Sequence, residues 1–182
     1  MLLPADAELI ARVVDHDDRH AFAELVRRHQ ALVRALLRRL TCGDFALADD
    51  LAQETFLRAY RALRQYQGGA KLSSWLYRIA YNVFLSARAR RHDELGRVAH
   101  DVPRGEPVEA ERAVANVDVA RAMAALSEPE RACITLAFVA GATHEEIAAV
   151  LECPLGTAKT HILRAKEKLR VRLSAWAPKE AL

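Results

Sequence analysis

The stretch T-H-E-E-I-A-A-V-L-E-C-P-L-G-T-A-K-T-H-I-L-R, Thr143 to Arg164, decides the fold. Thr143 followed by Glu146 is a capping box. The threonine hydroxyl accepts from the Glu146 amide, and the glutamate reaches back to the Thr143 amide, so a short helix starts here. That helix carries I-A-A-V-L from Ile147 and is broken by Glu152-Cys153-Pro154. A second helix then begins L-G-T-A-K. Ala148 is small where two helices must approach closely, and Ala158 and Ile162 give the second helix an inward face. Its other face carries Lys159, Thr160, Leu163, Arg164 and Lys166. Such a face suits the DNA major groove, where Arg and Lys donate to guanine and apolar groups touch thymine methyls. Glu152 departs from the glycine usual in a helix-turn-helix turn, at about 1 kcal/mol if the backbone there is left-handed.

Outward from this motif, helix formers dominate. The 182 residues include 35 Ala, 24 Leu and 22 Arg against 7 Gly and 6 Pro, and no stretch alternates like a strand. The expected fold class is all-α, with two small helical domains joined by a linker. Ser127-Glu128-Pro129-Glu130 is a second capping box, and Gly141 stops the helix that holds Ile134, Ala137 and Phe138.

In the N-terminal half, Phe22, Leu25, Val26, His29, Leu32, Val33, Leu36, Leu37 and Leu40 recur every three or four residues, predicting one face of a long helix. Thr41-Cys42-Gly43-Asp44 ends it, with Gly43 suited to a left-handed cap. A second helix is predicted from about Ala46 to Arg64. A third starts near Ser73 or Ser74, either one an N-cap, and runs to about Arg91. Residues 92–114 hold Gly96, Pro103, Gly105 and Pro107 with six acids against three Arg, which predicts an acidic linker between separate bodies. The expected units are therefore 1–91, the linker 92–114, 115–176 and a tail at 177–182.

Net charge is only +3, but residues 154–172 carry six Lys or Arg against one acid. A local basic face in a near-neutral chain points to a polyanion partner. No apolar run reaches membrane-spanning length and no signal peptide is evident, so a cytoplasmic protein without membrane insertion is expected. Cys42, Cys133 and Cys153 are odd in number and far apart, which argues against a disulfide framework. His16 and His20 lack further ligands, His144-Glu145-Glu146 lacks the second histidine of a zinc-protease helix, and no phosphate loop or nucleophile motif is present. Neither an enzyme nor a bound cofactor or metal is expected.

Two further motifs lie in the first half. D-L-A-Q-E-T-F-L-R-A-Y-R, Asp50 to Arg61, turns Leu51, Thr55 and Phe56 inward and leaves Asp50, Gln53 and Glu54 as an acidic and amide patch. S-W-L-Y-R-I-A-Y-N, Ser74 to Asn82, interleaves aromatics with Arg78 and Asn82, a composition suited to stacking on unpaired bases. A stand-alone helix-turn-helix regulator accounts for the C-terminal half but leaves these two motifs unexplained.

In this order, with the acidic linker and the helix-turn-helix behind them, the motifs resemble the extracytoplasmic-function sigma factors, small members of the sigma-70 family with regions two and four only. The resemblance implies core RNA polymerase, promoter DNA and an anti-sigma factor as partners. It assigns polymerase binding to Asp50, Gln53 and Glu54. For the minus-10 element it implies the stretch Tyr66 to Asn82, within it Tyr66, Lys71, Ser73, Ser74, Trp75, Tyr77, Arg78, Tyr81 and Asn82. For the minus-35 element it implies Thr157, Lys159, Thr160, His161, Leu163, Arg164 and Lys166. It also singles out the Tyr66–Leu72 loop, where Gly68 and Gly69 allow a fold-back over the third helix. Tyr66, Lys71 and Asn82 would then line a pocket for one base turned out of the duplex.

Overall fold

A computed structural model describes residues 5–95 and 119–174, all helix, turn or loop. Most of the predicted linker and the tail lie outside the described residues. The N-terminal unit holds α1 (Asp6–His16), α2 (Arg19–Leu40), α3 (Phe45–Ala62) with a 3-10 turn at Leu63–Gln65, and α4 (Leu72–Leu95). The C-terminal unit holds α5 (119–124), α6 (Glu128–Phe138), α7 (His144–Val150) and α8 (Leu155–Arg172).

Local chemistry sets these boundaries. Asp17 closes α1 in the left-handed region at φ 52°. The Asp18 carboxylate then opens α2, accepting from the His20 and Ala21 amides at 2.9 and 3.0 Å. The short helix α1, which sequence periodicity alone did not separate, is tied to α2 by Asp6. One Asp6 oxygen pairs with Arg28 at 3.0 Å and the other with His29 Nε2 at 2.8 Å. At the end of α2 the left-handed turn spans Cys42 (φ 55°) as well as Gly43 (φ 93°), and the Gly43 amide donates to the Arg38 carbonyl.

Helix α4 corrects one expectation. It starts at Leu72, with the Lys71 carbonyl accepting from the Trp75 amide, so Ser73 and Ser74 lie in the first turn and neither is the N-cap. Leu72 is only 6% exposed, and burying it draws the helix start upstream of both serines. The helix also runs to Leu95, four residues past the expected end.

The second correction concerns separateness. Two helical units joined by a linker are present, yet they are not separate bodies. Helix α6 packs on α2, and α7 packs on α4. One apolar cluster runs from Leu36, Leu40, Tyr81 and Phe84 through to Cys133, Leu136, Ile147 and Val150. A smaller cluster of Met123, Leu126, Ile134 and Ala165 belongs to the C-terminal unit alone. Cys133 is fully buried, and burial pushes its thiol up to about 12.

At the join sits Arg131, 8% exposed. Its guanidinium donates to the carbonyls of Met123 (2.9 Å), Leu126 (2.9 Å) and Ala124 (3.4 Å) behind α5, and of Leu40 (3.1 Å) at the end of α2. Helix ends leave such carbonyls without intrahelical partners, and their partial negative charge favours a cation. Arg131→Met keeps the volume but takes the charged donor away from all four carbonyls. We expect a loss of about 3 kcal/mol, given the strength of charge-assisted hydrogen bonds in buried sites, measured as a lower urea midpoint.

Candidate nucleic-acid interface

The turn between α7 and α8 has the predicted construction. The Glu146 amide donates to the Thr143 hydroxyl at 3.2 Å, and the Thr143 amide to a Glu146 oxygen at 2.9 Å. Glu152 sits at φ 51°, in the left-handed region that the sequence marked as unusual for glutamate. The Cys153 amide reaches back to the Ala148 carbonyl, tightening the turn. Ala158 and Ile162 are 0% and 4% exposed, facing Ile147 and Val150 across the motif.

The outer face of α8 is open. Thr157, Lys159, Thr160, Leu163, Arg164 and Lys166 are all exposed, Leu163 at 69%. His161 is half-buried, and its Nδ1 has no hydrogen-bond partner. The Thr160 hydroxyl donates to the Gly156 carbonyl at 2.8 Å, leaving its lone pairs for an outside donor. Lys166 leans the other way, its Nζ 5.3 Å from the Phe138 ring centroid. The distal half of α8 is fixed by Lys168, which pairs with buried Glu130 at 2.7 Å. Burial raises the Glu130 carboxyl, but Lys168 and the Ser127 amide outweigh it and hold it below its ordinary range.

The stretch Tyr66 to Asn82 divides in two. Lys71, Arg78 and Asn82 are exposed, whereas Tyr66, Ser73 and Trp75 are half-buried. Ser74, Tyr77 and Tyr81 are buried at 7%, 3% and 6%, which removes those rings from any base-stacking surface in this arrangement. Tyr66 donates to the Ala70 carbonyl and tilts against Trp75, ring centroids 5.4 Å apart, so the loop folds back with Gly68 at φ 72°. Lys71 pairs with Glu146 of α7 at 3.0 Å.

Comparison with known proteins decides what such a pair of units is. Residues 25–94 match the family Sigma-70 region 2, and residues 116–169 match Sigma-70, region 4. The RNA polymerase sigma-H factor of Pseudomonas aeruginosa is 34% identical, over 90% of this chain and 91% of that one. The chain is an extracytoplasmic-function sigma factor of the sigma-70 family. The ECF RNA polymerase sigma-E factor of Escherichia coli K12 is 35% identical, over 90% of the sigma factor and 92% of its relative. Among solved structures, the sigma factor RpoE in complex with the anti-sigma factor NepR from Bartonella quintana superposes with a TM-score of 0.77. It shares 26% identity and covers 84% of this sigma factor and 96% of that chain. CnrH in complex with the cytosolic domain of CnrY gives 0.70 at 26% identity, covering 94% and 99%. A stand-alone regulator is thereby set aside: the sigma factor directs RNA polymerase and is not itself an enzyme.

On α3 of the sigma factor, Asp50 and Gln53 are exposed and Glu54 is half-buried, held by Arg58 at 2.7 Å. Beside them lies a cleft of about 530 Å³ between α2 and α3, lined by Phe22, Val26, Gln53, Phe56, Leu57 and Tyr60. Helical periodicity does not predict the cleft; its one trace in the sequence is Leu57, an apolar residue on the polar side of α3, which is 54% exposed. A second groove of about 700 Å³ runs between α6 and α8, with Phe138 67% exposed beside Leu169 and Leu173. Arg39, Lys166 and Arg170 rim it, so it suits apolar side chains flanked by acids. No helix among the described residues is long and apolar enough to cross a membrane, and no group of three or more metal-ligating side chains occurs among them.

Because the Glu130 carboxyl is depressed in the folded chain, its ion pair stabilises above the ordinary value of 4.5 and is lost as pH falls through the depressed value. Thermal denaturation across this acidic range will show a pH-dependent component that Glu130→Gln lacks.

Proposed function

We propose that this sigma factor binds core RNA polymerase through Asp50, Gln53, Glu54 and the adjoining apolar cleft, and reads promoter DNA with its two units. The observation that carries the reading is the outer face of α8, where exposed Lys159, Thr160, Leu163 and Arg164 stand together in a helix-turn-helix of the expected geometry. That face takes the minus-35 element, and Thr157, His161 and Lys166 flank it. The stretch Tyr66–Asn82 takes the minus-10 element, with Lys71, Arg78 and Asn82 as its accessible polar groups in this arrangement and Tyr66, Ser73, Ser74, Trp75, Tyr77 and Tyr81 behind them. An anti-sigma factor controls the protein, by analogy with the two solved complexes. The cytoplasm is the compartment in which all these partners meet.

The assignment of units follows the same logic. Residues 1–91 serve polymerase and the minus-10 element, 115–176 serve the minus-35 element, and 92–114 join them.

Reconstituted transcription tests the DNA reading. Arg164→Ala is expected to relax discrimination at one minus-35 base pair by about 1–3 kcal/mol, whereas Lys159→Ala weakens all promoters alike and lowers the salt slope by about one. The measurement is abortive initiation on promoters mutated base by base. An Arg164→Ala effect spread evenly over all positions assigns Arg164 to phosphate instead.

Polymerase docking is tested separately by Asp50→Lys with Glu54→Lys. Charge reversal at the rim of an interface chiefly slows association. Surface plasmon resonance on immobilised core should show a lower on-rate, while circular dichroism shows unchanged helicity.

A further inference from the structure

Thr135 lines the groove between α6 and α8 and is 2% exposed, yet its hydroxyl oxygen has no hydrogen-bond partner among the described residues. A threonine inside a helix can donate to the carbonyl one turn back, as Thr55 does to Leu51 and Thr160 to Gly156. Thr135 does not. A buried hydroxyl left unsatisfied is costly, so its place in the groove calls for a partner that enters from outside.

Around that hydroxyl the groove is apolar, with cations at its rim. Phe138 is 67% exposed, Lys166 Nζ stands 5.3 Å from its ring centroid, and Arg39 and Arg170 lie alongside. One side chain suits all of these at once. Indole is apolar in body, carries a single N–H donor, and is the best aromatic partner for a cation.

The chain supplies an indole close by. The groove reaches Leu173 and Ser174 at the end of α8, and A-W-A-P-K-E-A-L, residues 175–182, follows at once. Trp176 stands three residues after Leu173 and seven after Leu169, a spacing that puts all three on one helix face. Leu169 and Leu173 both line the groove. From Lys166 to Leu173 the helix is only about 10 Å long, a distance that about three extended residues retrace. Glu180, four residues beyond Trp176, brings an acid to the cationic rim. A tether of so few residues holds Trp176 at an effective concentration of about millimolar, so a contact too weak for a separate peptide suffices.

We propose that the groove is the docking site of this chain's own residues 175–182, with Trp176 inserted and its indole N–H donating to the Thr135 hydroxyl. Apart from Arg39, every part of the site belongs to the C-terminal unit. Any other apolar helix that docks there has first to displace Trp176.

The test uses the full chain and reads the sign of one substitution in two backgrounds. Thr135→Val keeps the shape and removes the hydroxyl. With the indole docked it breaks a hydrogen bond, and the urea midpoint falls. In a Trp176→Phe background the ring has no donor, so Thr135→Val removes an unsatisfied oxygen and the midpoint rises. Emission is the second readout. Trp75→Phe leaves Trp176 as the only tryptophan. Its emission is expected to the blue of N-acetyltryptophanamide, with several-fold slower quenching by acrylamide. Phe138→Asp, at an exposed position, returns both to the values of the free amide while circular dichroism shows unchanged helicity. The same sign for Thr135→Val in both backgrounds, or a Trp176 that quenches like the free amide, overturns the inference. Protection that disappears on dilution overturns it in favour of the same segment from a second copy.

Discussion

A guanidinium buried among backbone carbonyls is the constraint on which the arrangement of this protein depends. Arg131 brings a charge into a region where the apolar cluster leaves little room for water, and its acceptors are backbone carbonyls at two helix ends, from opposite units of the fold. Without Arg131 the ends of α2 and α5 would each need water where the apolar cluster leaves little room. With it, α6 is fixed against α2, which fixes α7 against α4 and α8 outside both.

How much of this was legible in the sequence depends on the range of the interaction. Both capping boxes and the inward Ala158 and Ile162 are settled within a few residues, and all are found where the sequence placed them. The start of α4 was misread by the same local logic. Serine is a good N-cap in isolation, but burial of Leu72 against the core outweighs capping preference. The burial of Tyr77 and Tyr81 was not legible at all. What covers them lies more than fifty residues later, and a tyrosine at helical spacing looks the same whether it will meet a base or a helix. Arg131 likewise reads as an ordinary surface residue of an amphipathic helix until two helix ends converge on it.

The candidate DNA surfaces differ in readiness for the same reason. The outer face of α8 is completed by contacts inside its own unit, such as Lys168 with Glu130, and so is presented whatever the rest of the chain does. The α4 surface has Lys71 paired with the other unit and Tyr77 and Tyr81 buried, while Arg78 and Asn82 stay exposed. One surface is open and the other is largely covered.

The acceptors around Arg131 carry a last consequence, for mutability. Every amino acid has a backbone carbonyl, so no substitution at Leu40, Met123, Ala124 or Leu126 can delete the acceptor half of the contact. Nor does a carbonyl titrate, so the lock has no proton to gain on acidification. Substitution can weaken the guanidinium contact only through Arg131 itself or through the apolar side chains that position it, while its four acceptors stay in place whatever side chains those positions carry.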